Sequence, residues 1–255
     1  MVSEIIWSIS RIGAWLECPL KAKYKYIDKL YVEMPSEALE KGKKLHDYYD
    51  KFYDFYEEDI YDAEEKAINY LGIDEEFQKK YMMHALNFRE FVILNDVIPH
   101  KRESKYYATD IDGDKWIGIV DRVDKIDEKF VKIIDYKTSE GSLNEVSKNK
   151  RIMKADGSLF IETSNYLPQL LLYAKIYELA EKEKVKEVGI LFTSNQKELS
   201  SKEITQEEID KNWEEMVEKK RQAKEAMKGP YEPKLGKYCF WCEYKDKCPL
   251  KVGFK

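Results

Sequence analysis

The sequence predicts an α/β fold: a helical region, a three-stranded antiparallel meander, one further helix and one further strand, then a charged helix and a cysteine-bearing tail. Three observations carry this. Across residues 36–95 apolar and aromatic side chains recur at intervals of three and four, as in Leu45, Tyr48, Tyr49, Phe52 and Phe55, which is the spacing of one helix face. Beyond Pro99 the period changes. Residues 105–110, 116–123 and 130–136 are short runs rich in β-branched and aromatic residues, parted by the turn signals Asp112-Gly113-Asp114 and Asp127-Glu128. A long helical pattern then returns over residues 166–181, and a strand-like run follows at residues 188–194.

The elements fall into four regions of one expected domain spanning residues 1–255. In the first, residues 1–35, Ser8 or Ser10 can cap a helix that runs through Trp15, Leu16, Cys18 and Leu20 into a Tyr/Lys-rich stretch. The second, residues 36–100, is helical, and Pro99 ends it because the residue before a proline is pushed out of the helical region. The third, residues 101–200, holds the meander, a polar loop over residues 138–163, and the helix that follows. Pro168 fits that helix only in its first turn, where a missing N–H costs nothing. The fourth, residues 201–255, is a charged helix over residues 206–227, ended by Gly229-Pro230, and the cysteine tail.

Composition narrows the function class. Hydrophobic residues make up 43% of the 255, enough to bury a core, and the 36% that are charged alternate in sign, as on a solvated surface rather than a disordered tail. The net charge of −5 provides no global positive field. Nucleic-acid binding would then depend on local basic stretches, of which residues 21–25, 148–154 and 219–228 are candidates, although for each one alone a solvated helix face is the favoured reading. Met1 to Ser10 lacks the charged start and apolar run of a secretory signal, and no apolar run approaches the ~20 residues of a membrane helix. The expected location is the cytoplasm. There is no Gly-x-x-x-x-Gly-Lys-Ser/Thr loop, so any helicase motor would be a partner.

The chemistry concentrates on the meander. Asp121 in Gly118-Ile-Val-Asp121-Arg122 and Asp135 in Ile134-Asp135-Tyr136-Lys137 lie on neighbouring predicted strands, each at the end of a buried-type run. Two carboxylates brought together by strand pairing repel unless a cation lies between them, and hard oxygen ligands suit Mg²⁺ or Mn²⁺. Lys137, two residues beyond Asp135, projects to the same side. Asp124 is a nearby acid that could exchange roles with Asp121. Gln169 and Tyr173, four apart, share a helix face. His46 follows Gly42-Lys-Lys-Leu45 near a helix start. His84 and His100 have no supporting context and read as structural.

In this order the segments from Ser8-Ile-Ser10 to Glu17-Cys18-Pro19-Leu20, Gly42 to His46, Gly118 to Arg122, Asp135-Tyr136-Lys137, and Gln169 to Tyr173 resemble the RecB-like branch of the PD-(D/E)XK nuclease superfamily. The resemblance implies a restriction-endonuclease-like core. It also implies that His46, Asp121, Asp135 and the backbone carbonyl of Tyr136 bind the metal, that Lys137 assists the nucleophile, and that Gln169 and Tyr173 support the site. The implied activity is hydrolysis of DNA phosphodiesters, an exonuclease acting on single-stranded DNA or DNA ends in repair or recombination. The alternatives are trimming of DNA in CRISPR adaptation, with a CRISPR or motor partner, and a catalytically silent DNA-binding protein on the same fold. Tyr24, Tyr26 and Tyr31, among lysines, read either as a strand-stacking track or as core.

The four cysteines form a pattern of their own. Cys239, Cys242 and Cys248 lie within ten residues, and Cys18 lies near the other end of the sequence. Zinc sites usually use two local pairs, so one distant cysteine with a local trio fits an iron–sulfur cluster better, with Zn²⁺ as the alternative. The iron–sulfur nucleases of the superfamily, including the AddB nuclease domain and the CRISPR-associated RecB-like nucleases, share this arrangement. The likeness implies a [4Fe–4S] cluster that clasps the first helix to the tail.

Overall fold

The computed structural model describes residues 5–30, 32, 37–56, 59–96, 98–139, 149–153, 159–163, 166–195 and 198–250, with the side chains of 38, 149–153, 159–163, 237 and 241 left aside. Tyr31, Lys148 and Lys154 lie outside the described residues, and of the basic stretch between the last two only the backbone is described.

Strand β1 (Ile6–Trp7) leads into α1 (Ile9–Glu17), whose first turn is capped by the Ser8 hydroxyl accepting from the Arg11 amide at 3.3 Å. Cys18 ends α1 in an extended conformation and Pro19 opens α2 (Pro19–Tyr26), so the expected single helix is two. The helical region resolves into α3 (Glu37–Phe55), α4 (Ile60–Leu71) and α5 (Glu75–Asn95). Asp59 and Asp74 cap the last two, and Gly72, at φ 60°, ends α4 in the left-handed conformation that glycine adopts without penalty.

The meander is β2 (Lys101–Thr109), β3 (Lys115–Lys125) and β4 (Phe130–Lys137). Strand β2 pairs along most of β3, from Lys101 opposite Val123 to Thr109 opposite Lys115. Strand β4 meets β3 only over Arg122–Lys125, and β1 meets it in parallel only at Lys115 and Trp116. Inside the polar loop expected over residues 138–163 the chain instead forms a hairpin, β5 (Asn149–Met153) and β6 (Leu159–Thr163), each only five residues long. Helix α6 (Leu167–Glu181) then crosses over the sheet so that β7 (Lys184–Phe192) runs parallel to β4, as a βαβ crossover requires. Strand β8 (Ser200–Glu203) adds an edge, and α7 (Gln206–Ala226) begins with a reciprocal capping box of Thr205 and Glu208.

Apolar side chains pack on both faces of this sheet. Val120, Val123, Val131 and Ile133 join α1, α6 and α7 in one cluster, while Ile134, Tyr136 and Leu191 join α3, α4 and α5 in another. Between α7 and the β2–β3 turn, the fully buried Lys220 ammonium reaches Asp110, Asp112 and Asp114 at 2.6–2.8 Å. Among the described residues no helix is long and apolar enough to cross a membrane.

Candidate active site

The acids meet where the two clusters meet. β3 carries Asp121 to the point where its pairing with β4 begins, and one Asp121 oxygen accepts the Tyr136 amide at 2.7 Å. From α3, His46 Nδ1 lies 3.6 Å from the other Asp121 oxygen. Helix α3 holds this position because its start is fixed to the end of β4: Lys41 donates to the Thr138 carbonyl at 2.9 Å, and Gly42 lies against the Thr138 side chain. From α6, Gln169 donates to Asp135 Oδ1 at 3.2 Å and to the Tyr173 hydroxyl at 3.1 Å. Gly118 permits this approach, since a Cβ there would lie 3.3 Å from the Tyr173 ring. Lys137 Nζ lies 2.5 Å from Asp135 Oδ2. The nuclease-type residues expected from sequence, His46, Asp121, Asp135, Lys137, Gln169 and Tyr173, are thus linked by direct contacts, with the Tyr136 backbone between them.

The electrostatics favour a cation. Burial first, and then the Asp135 carboxylate beside it, push the Asp121 carboxyl up to about 8. Asp135 is 5% exposed, and its Oδ2 is buried without a hydrogen-bond donor of good geometry despite the ion-pair contact with Lys137. Burial works to lower the Lys137 pKa, but Asp135 and Asp121 outweigh it and hold the ammonium charged. A buried carboxylate beside a second carboxylate and an imidazole is a donor set that fits Mg²⁺ or Mn²⁺.

One acid was not anticipated. Glu103 Oε1 lies 3.2 Å from His46 Nδ1, and Glu103, His46 and Asp121 each offer a ligand atom within 4.8 Å of the others. Burial again works to lower the His46 pKa, but the bond to Glu103 and the charge of Asp121 hold it above 6.5. The sequence pattern does not single out Glu103, which precedes the strand expected over residues 105–110. The flanking pairs, Arg102 with Arg122 and Ser104 with Val120, set Glu103 level with Asp121. Its backbone is at φ 39°, a strained value for a residue with a Cβ.

Several other candidates lie elsewhere. Asp124 is bound to the buried Arg122 guanidinium at 2.6 Å and is not part of the cluster, so the exchange with Asp121 is not favoured. His84 bonds Thr193, and His100 lies by Glu183, both outside the acid cluster. The basic stretch 219–228 is partly spent on the aspartates of the β2–β3 turn. Tyr24 donates to the Lys247 carbonyl and packs on Tyr244, so it belongs to the contact with the tail, whereas Tyr26 packs on Trp15 and borders an open groove.

Cys18, Cys239, Cys242 and Cys248 all line one cavity, together with Lys21 and Lys245. All four are free thiols, and burial raises the pKa of Cys242. Among the described residues no three of them lie within 4.8 Å of one another. The tail is tied to the first helices at several points: Tyr238 to the Glu17 carbonyl, Tyr244 to the Leu30 carbonyl at 3.0 Å, and the Lys234 amide to Cys18 Sγ at 3.5 Å.

Comparison with known proteins agrees with this architecture. The sequence model of the PD-(D/E)XK nuclease superfamily matches residues 6–249. A crystal structure described as a "putative exonuclease" from Eubacterium rectale superposes with a TM-score of 0.60 at 12% identity, covering 98% of this chain and 89% of that one, which is a likeness of fold. The crystal structure of SSO0001 aligns over 95% of this chain and 86% of that one at 15% identity, with a TM-score of 0.37, too low to carry an argument. No curated protein matches the sequence. With the family pattern running from β1 to the last cysteine, the chain belongs to the PD-(D/E)XK nuclease superfamily.

Proposed function

We propose that this chain is an Mg²⁺- or Mn²⁺-dependent deoxyribonuclease, an exonuclease acting on single-stranded DNA or DNA ends in repair or recombination. The observation that carries the reading is the convergence of His46, Asp121 and Asp135 from three elements, with Lys137 beside them. His46, Asp121, Asp135 and the Tyr136 carbonyl would hold the divalent ion, with Glu103 beside His46. The ion, when bound, supplies charge neutralisation and a more acidic water. The chain's own groups do the rest. Lys137 orients the attacking water and offsets charge on the phosphate. Gln169 fixes one Asp135 oxygen and is itself held by Tyr173, whose hydroxyl burial keeps protonated, its pKa pushed up to about 12. A silent binding protein would be expected to have lost one of these groups, and all are present.

For the cysteines the reading is a [4Fe–4S] cluster. The support for the reading is that the distant Cys18 and the local trio border one cavity. The role of such a cluster would be to clasp α1 and α2 to the tail.

The test is cleavage of end-labelled single-stranded and duplex DNA by anaerobically purified protein with Mg²⁺ or Mn²⁺. Metal-dependent cutting should fall at least ~100-fold in Asp135→Ala and Lys137→Ala. A folded, metal-loaded protein that cuts neither substrate, or variants that cut like the parent, would end the nuclease reading.

A further inference from the structure

Beyond the acids, one face of the β2–β3 hairpin carries no covering element among the described residues. Alternate residues of the hairpin turn toward the helices on the other face: Gly118 lies against Tyr173 and Ile176, Tyr106 packs on Tyr177 with ring centroids 4.9 Å apart, and Trp116 packs on Trp213 at 5.0 Å. Their neighbours in sequence therefore point the opposite way. Helix α3 reaches the hairpin at Arg102, whose guanidinium bonds Asp50 and Asp54. Past that point Lys105 is exposed, Tyr107 is 52% exposed and Ile119 is 43% exposed. The register sets Lys105 beside Ile119 and Tyr107 beside Ile117. From Asp121 the row runs to Ile119 and then to Ile117 in two-residue steps of about 6.8 Å. Ile117 also borders an open groove with Ile6, Arg11, Lys25 and Tyr26, in which the Arg11 guanidinium lies 4.7 Å over the Tyr26 ring.

A sheet face left to water is ordinarily polar along its length. This one alternates cationic, aromatic and aliphatic groups and runs directly out of the acid cluster. We propose that it is a track for single-stranded DNA. Tyr107 is a stacking platform, Ile119 is an apolar floor, and Lys105, Arg11 and Lys25 meet the phosphates of the strand adjoining the one to be cut. The choice of DNA as occupant rests on the nuclease reading above. The continuity with the acids and the positive charge of the far groove are independent of it.

The experiment separates the two. Anisotropy of a fluorescein-labelled oligothymidylate is measured against Asp135→Asn protein, and against the same protein carrying Tyr107→Ala or Tyr107→Phe. Alanine should weaken binding about tenfold, and phenylalanine should bind like tyrosine. On the active background Tyr107→Ala should raise KM for the oligonucleotide and leave kcat in place, while hydrolysis of bis(p-nitrophenyl) phosphate, too small to reach Tyr107, keeps the parental rate. If no DNA is cut but Tyr107→Ala still loses binding, the nuclease reading fails and the track stands. Undiminished binding in Tyr107→Ala, or no oligothymidylate binding by the parent, overturns the track even if the protein cuts DNA.

Discussion

Asp121 makes the metal-free protein sensitive to pH in a direction opposite to most carboxylates. Its folded pKa is raised from 3.8 to about 8, so the folded state holds a proton that the unfolded chain releases. The stability tied to that proton is complete below about pH 4 and is lost as pH rises toward 8. Four units at 1.36 kcal/mol each set an upper bound of about 6 kcal/mol, and relaxation and water entry leave about 2–3 kcal/mol. In a chain of this size that is roughly 5–10 °C of melting temperature. His84 titrates with the opposite sign, its pKa lowered by burial to about 4, so the comparison must be parent against Asp121→Asn, in which all other groups cancel. In EDTA the parent should lose several degrees relative to the variant between pH 5 and 8. Mn²⁺ at a fixed concentration about 100 times its Kd at pH 8 should restore about 2.7 kcal/mol there, and less at pH 5, where the proton competes for the carboxylate. If the parent and Asp121→Asn follow the same pH profile, or Mn²⁺ shifts the parent equally at both pH values, the carboxylate-pair argument is wrong.

Other perturbations probe the neighbouring features. Glu103→Gln should keep the fold and weaken Mn²⁺ binding about 10–100-fold in a calorimetric titration, because it removes the bond that orients His46. Lys220→Met strands the fully buried Asp110 carboxylate and should cost about 3–5 kcal/mol in urea unfolding, whereas Asp112→Asn, at an exposed position, should leave the urea midpoint close to the parent's. Cys18→Ser should abolish bound iron and visible absorbance and make the chain beyond Met227 more sensitive to limited proteolysis. Iron content equal to the parent's would remove Cys18 from the ligand set.

The parts of the fold that were legible in sequence are those whose period is long or clean. The meander strands alternate, and α6 and α7 run for four turns or more, so neighbouring residues reinforce one signal. The parts that were missed are short or polar. β1 has two residues and β8 reads Ser-Ser-Lys-Glu, so pairing with an existing strand, not propensity, makes them strands. The division of the helical region into three, with caps at Asp59 and Asp74, was hidden because its amphipathic pattern continues across the breaks. At the site, residues in recognisable local patterns were found, such as Asp135 with Lys137 or Gln169 with Tyr173. Glu103 was not, because in Lys-Arg-Glu-Ser-Lys it resembles any solvated strand end, and only long-range register brings it to His46.

The position of the acids explains how the fold tolerates them. Two buried carboxylates within one cluster are a destabilising feature that a single packed layer would resist. Here they lie at the seam between two apolar clusters, each anchored by large side chains: Trp7, Trp15 and Trp116 on one side, Tyr49, Phe52 and Phe88 on the other. The seam is also bound across its two sides. Tyr49 donates to the Thr193 hydroxyl, which donates in turn to the carbonyl of Lys137, so the residue that carries the ammonium is fixed from the α3 side while Gln169 fixes Asp135 from the α6 side. Neither cluster alone would define the distance from His46 to Asp121. The site geometry is therefore a property of how the two clusters meet across one sheet. Substitutions at the seam should alter metal affinity before they alter stability, whereas substitutions in either cluster should do the reverse.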